Sequence, residues 1–381
     1  MTLPGAALED WLRERYFDAE IDISSSGVAP YSVPELREIL GMSLEEFDQV
    51  TFTDSRSLGA PELREAIAAR WGDGHGEKVV VANGSSEAAF LVMNAVLEPG
   101  DTVVVADPAY HALRGTAESL GCRIVCWALR PEDGFRPDLD QLRALVTPGT
   151  RMVVVNFPHN PTGVSVSPAE QEALVSVAES AGACLVWDAA FADLTYDVPP
   201  LPDATLLYDR AVTFGTLSKG YGLPGLRAGW CIGPPQIVNA CAAIRDYTSL
   251  ALSPLVELVA VRAVCGAGQL LAPRLAQARG NLAVTAEWAS GNAGHLAWAR
   301  PAGGVTAFPR LRRLAHTDAF CDRLLREHGV LLVPGSCFGY PQHVRLGFGG
   351  PAAELKEGLG RVSALLDAIH PQAGGRQGPG D

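Results

Sequence analysis

The chain lacks an excess of positive charge, CxxC cysteine pairs, long apolar runs and internal repeats, and each absence removes a class of function. Lys and Arg total 30 against 43 Asp and Glu, giving a net charge of -13. A nucleic-acid surface needs clustered basic side chains to neutralise phosphates, so no nucleic-acid partner is expected. The eight cysteines form neither a CxxC pair nor a zinc-like array, and most sit in apolar segments such as Ala183-Cys184-Leu185-Val186. They read as reduced, buried thiols of a cytoplasmic protein, with no metal site. No apolar stretch approaches the roughly 20 residues that span a bilayer. The N-terminus instead runs into the charged, amphipathic segment Leu8-Glu9-Asp10-Trp11-Leu12-Arg13-Glu14-Arg15, unlike the apolar core of a signal peptide. No membrane association is expected.

What is present suits a soluble α/β enzyme. The 381 residues, 48% of them hydrophobic, can bury a large core. From about residue 79, short apolar runs alternate with helical segments: Val79–Ala82, Thr102–Val105, Arg123–Cys126, Arg151–Val155, Cys184–Trp187 and Ala211–Phe214. Runs buried on both faces and separated by helices predict a mostly parallel sheet flanked by helices. Near residue 290 the pattern changes to that of a smaller α+β unit. We expect an N-terminal segment, 1–55, that joins the small domain and the mouth of the site; a large domain, 56–289; a C-terminal small domain, 290–370; and a disordered Gly- and Pro-rich tail, 371–381.

Such sheets bind ligands at the carboxyl ends of their strands. In this chain polar clusters follow the strands: Asn83-Gly84-Ser85-Ser86, Asp107-Pro108-Ala109-Tyr110, Asn156 to Gly163, Asp188, and Thr216 to Lys219. Lys219, flanked by hydroxyls and small residues in Thr216-Leu217-Ser218-Lys219-Gly220-Tyr221, suits imine chemistry better than packing.

The ordered set Gly84-Ser85-Ser86, Tyr110, Asn160-Pro161-Thr162-Gly163, Asp188, Ser218-Lys219, Arg227 and Arg345 resembles the fold-type I, pyridoxal-phosphate (PLP) enzymes of the class I/II aminotransferase superfamily. The resemblance extends from about residue 20 to residue 365. It implies that Lys219 carries the cofactor as a Schiff base and then moves the substrate Cα proton. It implies that Asp188 keeps the pyridine nitrogen protonated. Ser85, Ser86, Thr216, Ser218 and Arg227 would hold the phosphate. Tyr110 would stack on the ring, Asn160 would bond its phenolic oxygen, and Arg345 would grip the substrate α-carboxylate. Ser25, Gly27 and Ala29 fall in the loop expected beside that carboxylate. The family generally builds its sites at a homodimer interface, where a neighbour's tyrosine commonly reaches the phosphate; here the corresponding segment carries Phe52, leaving Arg56 or Ser57 to substitute.

Two departures bear on the reaction. The usual Asp-x-x-Tyr motif is Asp188-Ala189-Ala190-Phe191 in this chain, which removes a hydroxyl donor from the cofactor's phenolic oxygen. A closer resemblance, carried by Leu8 to Phe17, Asp22 to Val28, Val154 to Pro161 and Phe214 to Lys219, is to hydroxyarginine cyclases of the capreomycidine synthase type and their relative in streptothricin biosynthesis. It implies removal of the Cα proton of a 3-hydroxylated arginine, loss of the β-hydroxyl and ring closure by a guanidine nitrogen. Those relatives carry a histidine where this chain has Ala29, so either the chain is a variant with weakened elimination or the acid for the departing hydroxyl lies elsewhere, with His159 and Tyr31 as candidates. Glu9, Asp10 and Asp22 are the candidate carboxylates for the guanidinium. The alternative reading is an aminotransferase that passes the amino group of a basic amino acid to a 2-oxo acid.

Overall fold

The computed structural model of the protein describes residues 2–369; the tail expected at 371–381 lies outside them. Seven strands form the central sheet: β1 (Val79–Ala82), β2 (Thr102–Asp107), β3 (Arg123–Ala128), β4 (Thr150–Asn156), β5 (Cys184–Asp188), β6 (Ala211–Thr216) and β7 (Gly229–Ile232). Their spatial order is β1-β7-β6-β5-β4-β2-β3. The pairs from β3 through to β6 are parallel, and β7 runs antiparallel to both β1 and β6. The mostly parallel sheet expected from the alternation of elements is therefore present. The sequence reading missed β7, because Gly229-Trp230-Cys231-Ile232 follows Arg227 almost at once with no helix between it and β6 to mark it as a separate strand.

Valine-rich strands dominate because both faces of the sheet are covered. Successive side chains point to opposite faces, so Val103, Val105, Met152 and Val154 enter one core while Val104, Val153, Val155 and Trp187 enter the other. Strand β3 lies at the edge and is correspondingly more exposed.

The remaining elements bring the two ends of the chain together. Strands β8 (Thr306–Ala307), β9 (Val333–Pro334) and β10 (Val344–Gly347) form an antiparallel sheet in the order β8-β10-β9. Ile21–Asp22 pairs in parallel with Val330–Leu331. Helix α1 (Ala7–Arg15) is pinned to this part by the Trp11 indole, which donates to the Leu332 carbonyl at 3.0 Å, and by Arg15 bonded to Asp322 at 2.9 Å. Helix α2 (Ser85–Val96) covers one face of the large sheet. The 25-residue helix α3 (Ala267–Gly291) reaches the segment after β10, where Asn281 Nδ2 donates to the carbonyls of Phe348 and Gly350, each at 2.8 Å. Among the described residues no single helix is long and apolar enough to cross a membrane, no cluster of three or more His, Cys, Asp or Glu could hold a metal, and all eight cysteines are free thiols.

Candidate active site

Helix α2 begins at Gly84, which is left-handed (φ 87°) and supplies no side-chain cap. Its first N–H groups therefore point outward with the positive end of the helix dipole behind them. Arg227, also left-handed at φ 55°, lays its guanidinium against this end. Its Nη2 donates to the Asn83 carbonyl at 3.2 Å; its Nη1 donates to the Pro224 carbonyl at 3.1 Å and lies 3.5 Å from Ser218 Oγ. A Cβ on Gly84 would sit 2.3 Å from Arg227 Nη2, so only glycine lets the cation come this close. Ser85 and Ser86 face the same cavity. A free helix N-terminus, a guanidinium and serine hydroxyls together make an anion cradle.

In the same cavity, Asp188 ends β5 and Lys219 follows β6 directly after Ser218. Asp188 is buried; its Oδ1 accepts the Ala190 amide at 3.0 Å, and its carbonyl is held by Asn156 Nδ2 at 2.9 Å. Burial pushes the carboxyl up to about 6, partly offset by the Ala190 amide and by Lys219. Among the described residues it has no ion-pair partner within 4.0 Å. It is thus a buried acid at a strand end that wants a cation. Lys219, one of three lysines in the chain, places Nζ 2.8 Å from Ser26 Oγ. Burial and the nearby Arg345 lower its amine to about 8, against the pull of Asp188 and Glu9. About a tenth is therefore unprotonated at pH 7 and about half near pH 8, far more than for an ordinary lysine, as a base requires.

The third pole is Arg345 on β10. Its Nε and Nη2 both donate to the Ser24 carbonyl, at 3.2 and 3.0 Å, and its Nη1 to Asn160 Oδ1 at 3.4 Å. Burial lowers it to about 10, with Asp22 acting in the opposite direction. Asn160 is itself fixed by its amide, which donates to Asn156 Oδ1 at 2.8 Å. The loop after Ile21–Asp22 packs backbone to backbone against β10: a Cβ on Gly347 would lie 1.9 Å from the Ser25 carbonyl oxygen.

One cavity of about 250 Å³ collects Ser25, Ser85, Ser86, Tyr110, Asn160, Asp188, Ser218, Lys219, Arg227 and Arg345. Glu9 and Asp22 also line it, as do Ser26 and Phe191. Tyr110 donates to Glu9 Oε1 at 3.3 Å and lies 3.4 Å from Ser86 Oγ. The Phe191 ring centroid is 5.8 Å from Lys219 Nζ.

Other expected positions fall outside this cavity. Thr216 is turned away from it: its hydroxyl is taken by Ser218 Oγ at 2.9 Å and the Ala228 carbonyl at 3.2 Å, so it braces Ser218 from behind. Gly27 and Ala29 contribute backbone to the loop, Ala29 donating its amide to the Gly349 carbonyl at 3.0 Å, and neither lines the cavity. Asp10 faces solvent and pairs with Arg13 at 2.7 Å. His159 is buried beneath the site, lies 2.8 Å from Thr162 Oγ1 and is held neutral by burial, near 4. The Tyr31 hydroxyl is bound to the Leu270 carbonyl at 2.8 Å. Neither can protonate a departing hydroxyl from its present place. A second cavity of about 320 Å³ lies behind Phe191, lined by Trp71, Trp187, Tyr221 and Trp230. It contains Thr216 but none of the charged groups of the first, and the cofactor chemistry belongs to the first.

Sequence reasoning did not assign Ser26. Its signal was the run Ser24-Ser25-Ser26, but nothing in the sequence tells which of the three hydroxyls faces the lysine.

These residues fit pyridoxal phosphate: an uncapped helix end with an arginine for its phosphate, a cation-seeking buried acid for its pyridine nitrogen, and an amine between them. The chain matches the family described as aminotransferase class I and II over residues 44–362, and it belongs to that family. It is 50% identical to capreomycidine synthase of Streptomyces vinaceus over 99% of this chain and 97% of that protein. It superposes on the crystal structure of the PLP-dependent cyclase OrfR with a TM-score of 0.92 and 43% identity, covering 97% of this chain and 98% of that one. It is also 32% identical to the arginine–pyruvate transaminase of Pseudomonas aeruginosa over 83% of this chain and 82% of that protein.

Proposed function

We propose that the protein is a PLP-dependent cyclase that converts a 3-hydroxylated arginine into a cyclic guanidino amino acid of the capreomycidine type, in antibiotic biosynthesis. The observation that carries this reading is that Glu9 and Asp22 share one cavity with Lys219 and Arg345. The site then offers, within one cavity, a cation for an α-carboxylate and anions for a guanidinium. The 50% identity to capreomycidine synthase supports the reaction type.

When bound, PLP supplies an electron sink that makes the substrate Cα proton acidic. Ser85, Ser86, Ser218 and Arg227 would hold its phosphate, Asp188 its ring nitrogen and Lys219 its carbonyl carbon. The protein's own residues do the rest. Arg345, aimed by the Ser24 carbonyl and Asn160, fixes the α-carboxylate. Lys219, as the free amine, removes the Cα proton. The β-hydroxyl leaves with a proton as water, a guanidine nitrogen bonds to Cβ, and a proton returns to Cα while the attacking nitrogen loses one. The balance is one water lost, with no keto acid consumed. Glu9 and Asp22 hold the guanidinium so that it lies near Cβ, and α1 carries Leu8 and Leu12 over the cavity and limits water.

We further take residues 56–289 as the cofactor-binding unit and 1–55 with 290–370 as the smaller one. We also infer a homodimer in the cytoplasm. Phe52, Tyr247 and Leu250 are large apolar side chains at 77, 92 and 59% exposure, a cost that a second copy would remove, and eight free thiols suit a reducing compartment. Sedimentation at micromolar concentration should give twice the 40.2 kDa chain mass.

The 32% identity to an arginine–pyruvate transaminase favours a second reading, transamination of a basic amino acid with a 2-oxo acid. One experiment separates the two. The PLP-loaded protein is incubated with 3-hydroxyarginine, and separately with 3,4-dihydroxyarginine, without keto acid. A product lighter by one water with the guanidine in a ring supports the cyclase. Turnover of arginine only when pyruvate or 2-oxoglutarate is present, with no cyclic product, replaces it with the transaminase.

A further inference from the structure

The loop holding Ser26 is clamped between the two poles of the site. On one side the Val28 amide donates to the Lys219 carbonyl at 3.2 Å, and a Cβ on Gly27 would lie 3.3 Å from the Ser218 carbonyl oxygen. On the other, the Gly347 amide donates to the Ile23 carbonyl at 2.9 Å, and Arg345 donates twice to the Ser24 carbonyl. The serines on this loop are differentiated. Ser24 Oγ is committed to Asp22 Oδ1 at 2.6 Å. Ser25 is exposed, and its Oγ accepts the Gly27 amide at 3.2 Å. Ser26 is buried, lines the cavity, and has its Oγ 2.8 Å from Lys219 Nζ. The hydroxyls of His159's partner Thr162 and of Tyr31 are committed elsewhere, so Ser26 is the hydroxyl that touches the base.

Resting on the cyclase reading, we propose that Ser26 is a catalytic residue that relays the proton from Lys219 to the departing β-hydroxyl. Lys219 Nζ takes the Cα proton and becomes an ammonium. The electron pair left at Cα becomes the second bond between Cα and Cβ as the Cβ–O bond breaks. The leaving oxygen takes the Ser26 hydroxyl proton and departs as water, and Ser26 Oγ takes a proton from the Lys219 ammonium. Both residues end as they began, with no further reactant. The relay lets one amine serve chemistry at two adjacent carbons, and it supplies the acid that Ala29 cannot.

The test compares two rates on the PLP-loaded enzyme with 3-hydroxyarginine: exchange of the Cα proton with deuterated water, and release of water from Cβ. In S26A, water release should fall about 100-fold, the lower end of what a positioned acid contributes, while Cα exchange falls less than about tenfold. S26T, which keeps the hydroxyl, should recover most of the loss. Equal falls in both rates would mean that Ser26 only positions Lys219, and no fall in either would mean that the proton travels otherwise; each overturns the relay. Wild-type enzyme that exchanges Cα but never releases water would sink the cyclase reading, and the relay with it. A readout free of turnover is acylation of Lys219 in the cofactor-free protein as a function of pH. The groups facing the amine, Asp188, Glu9, Arg345 and Arg227, are unchanged in S26A, so loss of the hydroxyl acceptor should move the midpoint down. An unmoved midpoint would mean that the contact is not made and would also overturn the relay.

Discussion

Phe191 and Glu9 line the cavity with opposite chemistry, one lacking a hydroxyl and the other carrying a charge. Phe191 lines the cavity close to Lys219 but offers no hydroxyl. Adding one by F191Y should give the cofactor's phenolic oxygen a donor worth roughly 1.5 to 3 kcal/mol. The titration midpoint of the visible cofactor band should then fall by about one to two pH units, as read by absorbance between pH 5 and 9. A midpoint that stays in place would show that the ring is not beside that oxygen. Glu9 is tethered by Tyr110 and faces the cavity. E9Q keeps the shape and the bond from Tyr110 but removes the charge. It should raise KM for hydroxyarginine roughly tenfold or more with a much smaller change in kcat, whereas a transition-state role would lower kcat instead. Glu9 and Asp22 could be proposed from the sequence alone on charge; only the fold separates them from Asp10, which points into solvent.

At the scale of the element, the end of α2 is decided by a single missing side chain. The motif Asn83-Gly84-Ser85-Ser86 reads as a helix start, and a serine-rich start alone would pass for an ordinary cap. The structure adds that the cap position bears no side-chain bond and that Arg227, 143 residues later in the chain, fills the space a Cβ would need. G84A must therefore displace the guanidinium and strain a backbone held at φ 87°. PLP affinity should fall at least tenfold, measured by fluorescence titration of the cofactor-free protein, while the helical circular dichroism is kept. The short strand β7 belongs to the same lesson. Its antiparallel pairing to both neighbours brings Gly229 within 2.6 Å, as a hypothetical Cβ, of Gly84, and a periodicity argument has no access to that contact.

For the whole molecule, the site is a source of instability until it is filled. Without cofactor the Asp188 carboxyl keeps its proton up to about 6 instead of 3.8. The folded state then binds more protons across that window, so stability falls as pH rises through it and stays lower above it. The Lys219 amine, lowered from 10.5 to about 8, has the complementary effect: stability is reduced below about 8 and recovers as pH rises towards 10.5. At pH 7 both penalties are present. Removing PLP should therefore lower the melting temperature at pH 7, measured by calorimetry. D188N should raise the stability of the cofactor-free protein at pH 7 while shrinking the gain on adding PLP. A cofactor-free D188N protein less stable than its parent would show that the carboxylate is satisfied within the fold.

The sequence by itself determined the sheet apart from β7, because strands covered on both faces must be apolar along their length, and it determined the chemistry available, because the amine, acid and arginines of the site are specific residue types in a fixed order. Tertiary structure decided which members of that set meet. Side-chain direction at a loop or strand end depends on contacts hundreds of residues away: Arg345 is aimed by the Ser24 carbonyl, Arg227 by the bare Gly84, and Thr216 is turned from the cavity to brace Ser218. Ser26 was one hydroxyl among three until the loop was clamped between Lys219 and Gly347, and that clamp alone set its oxygen 2.8 Å from the lysine amine.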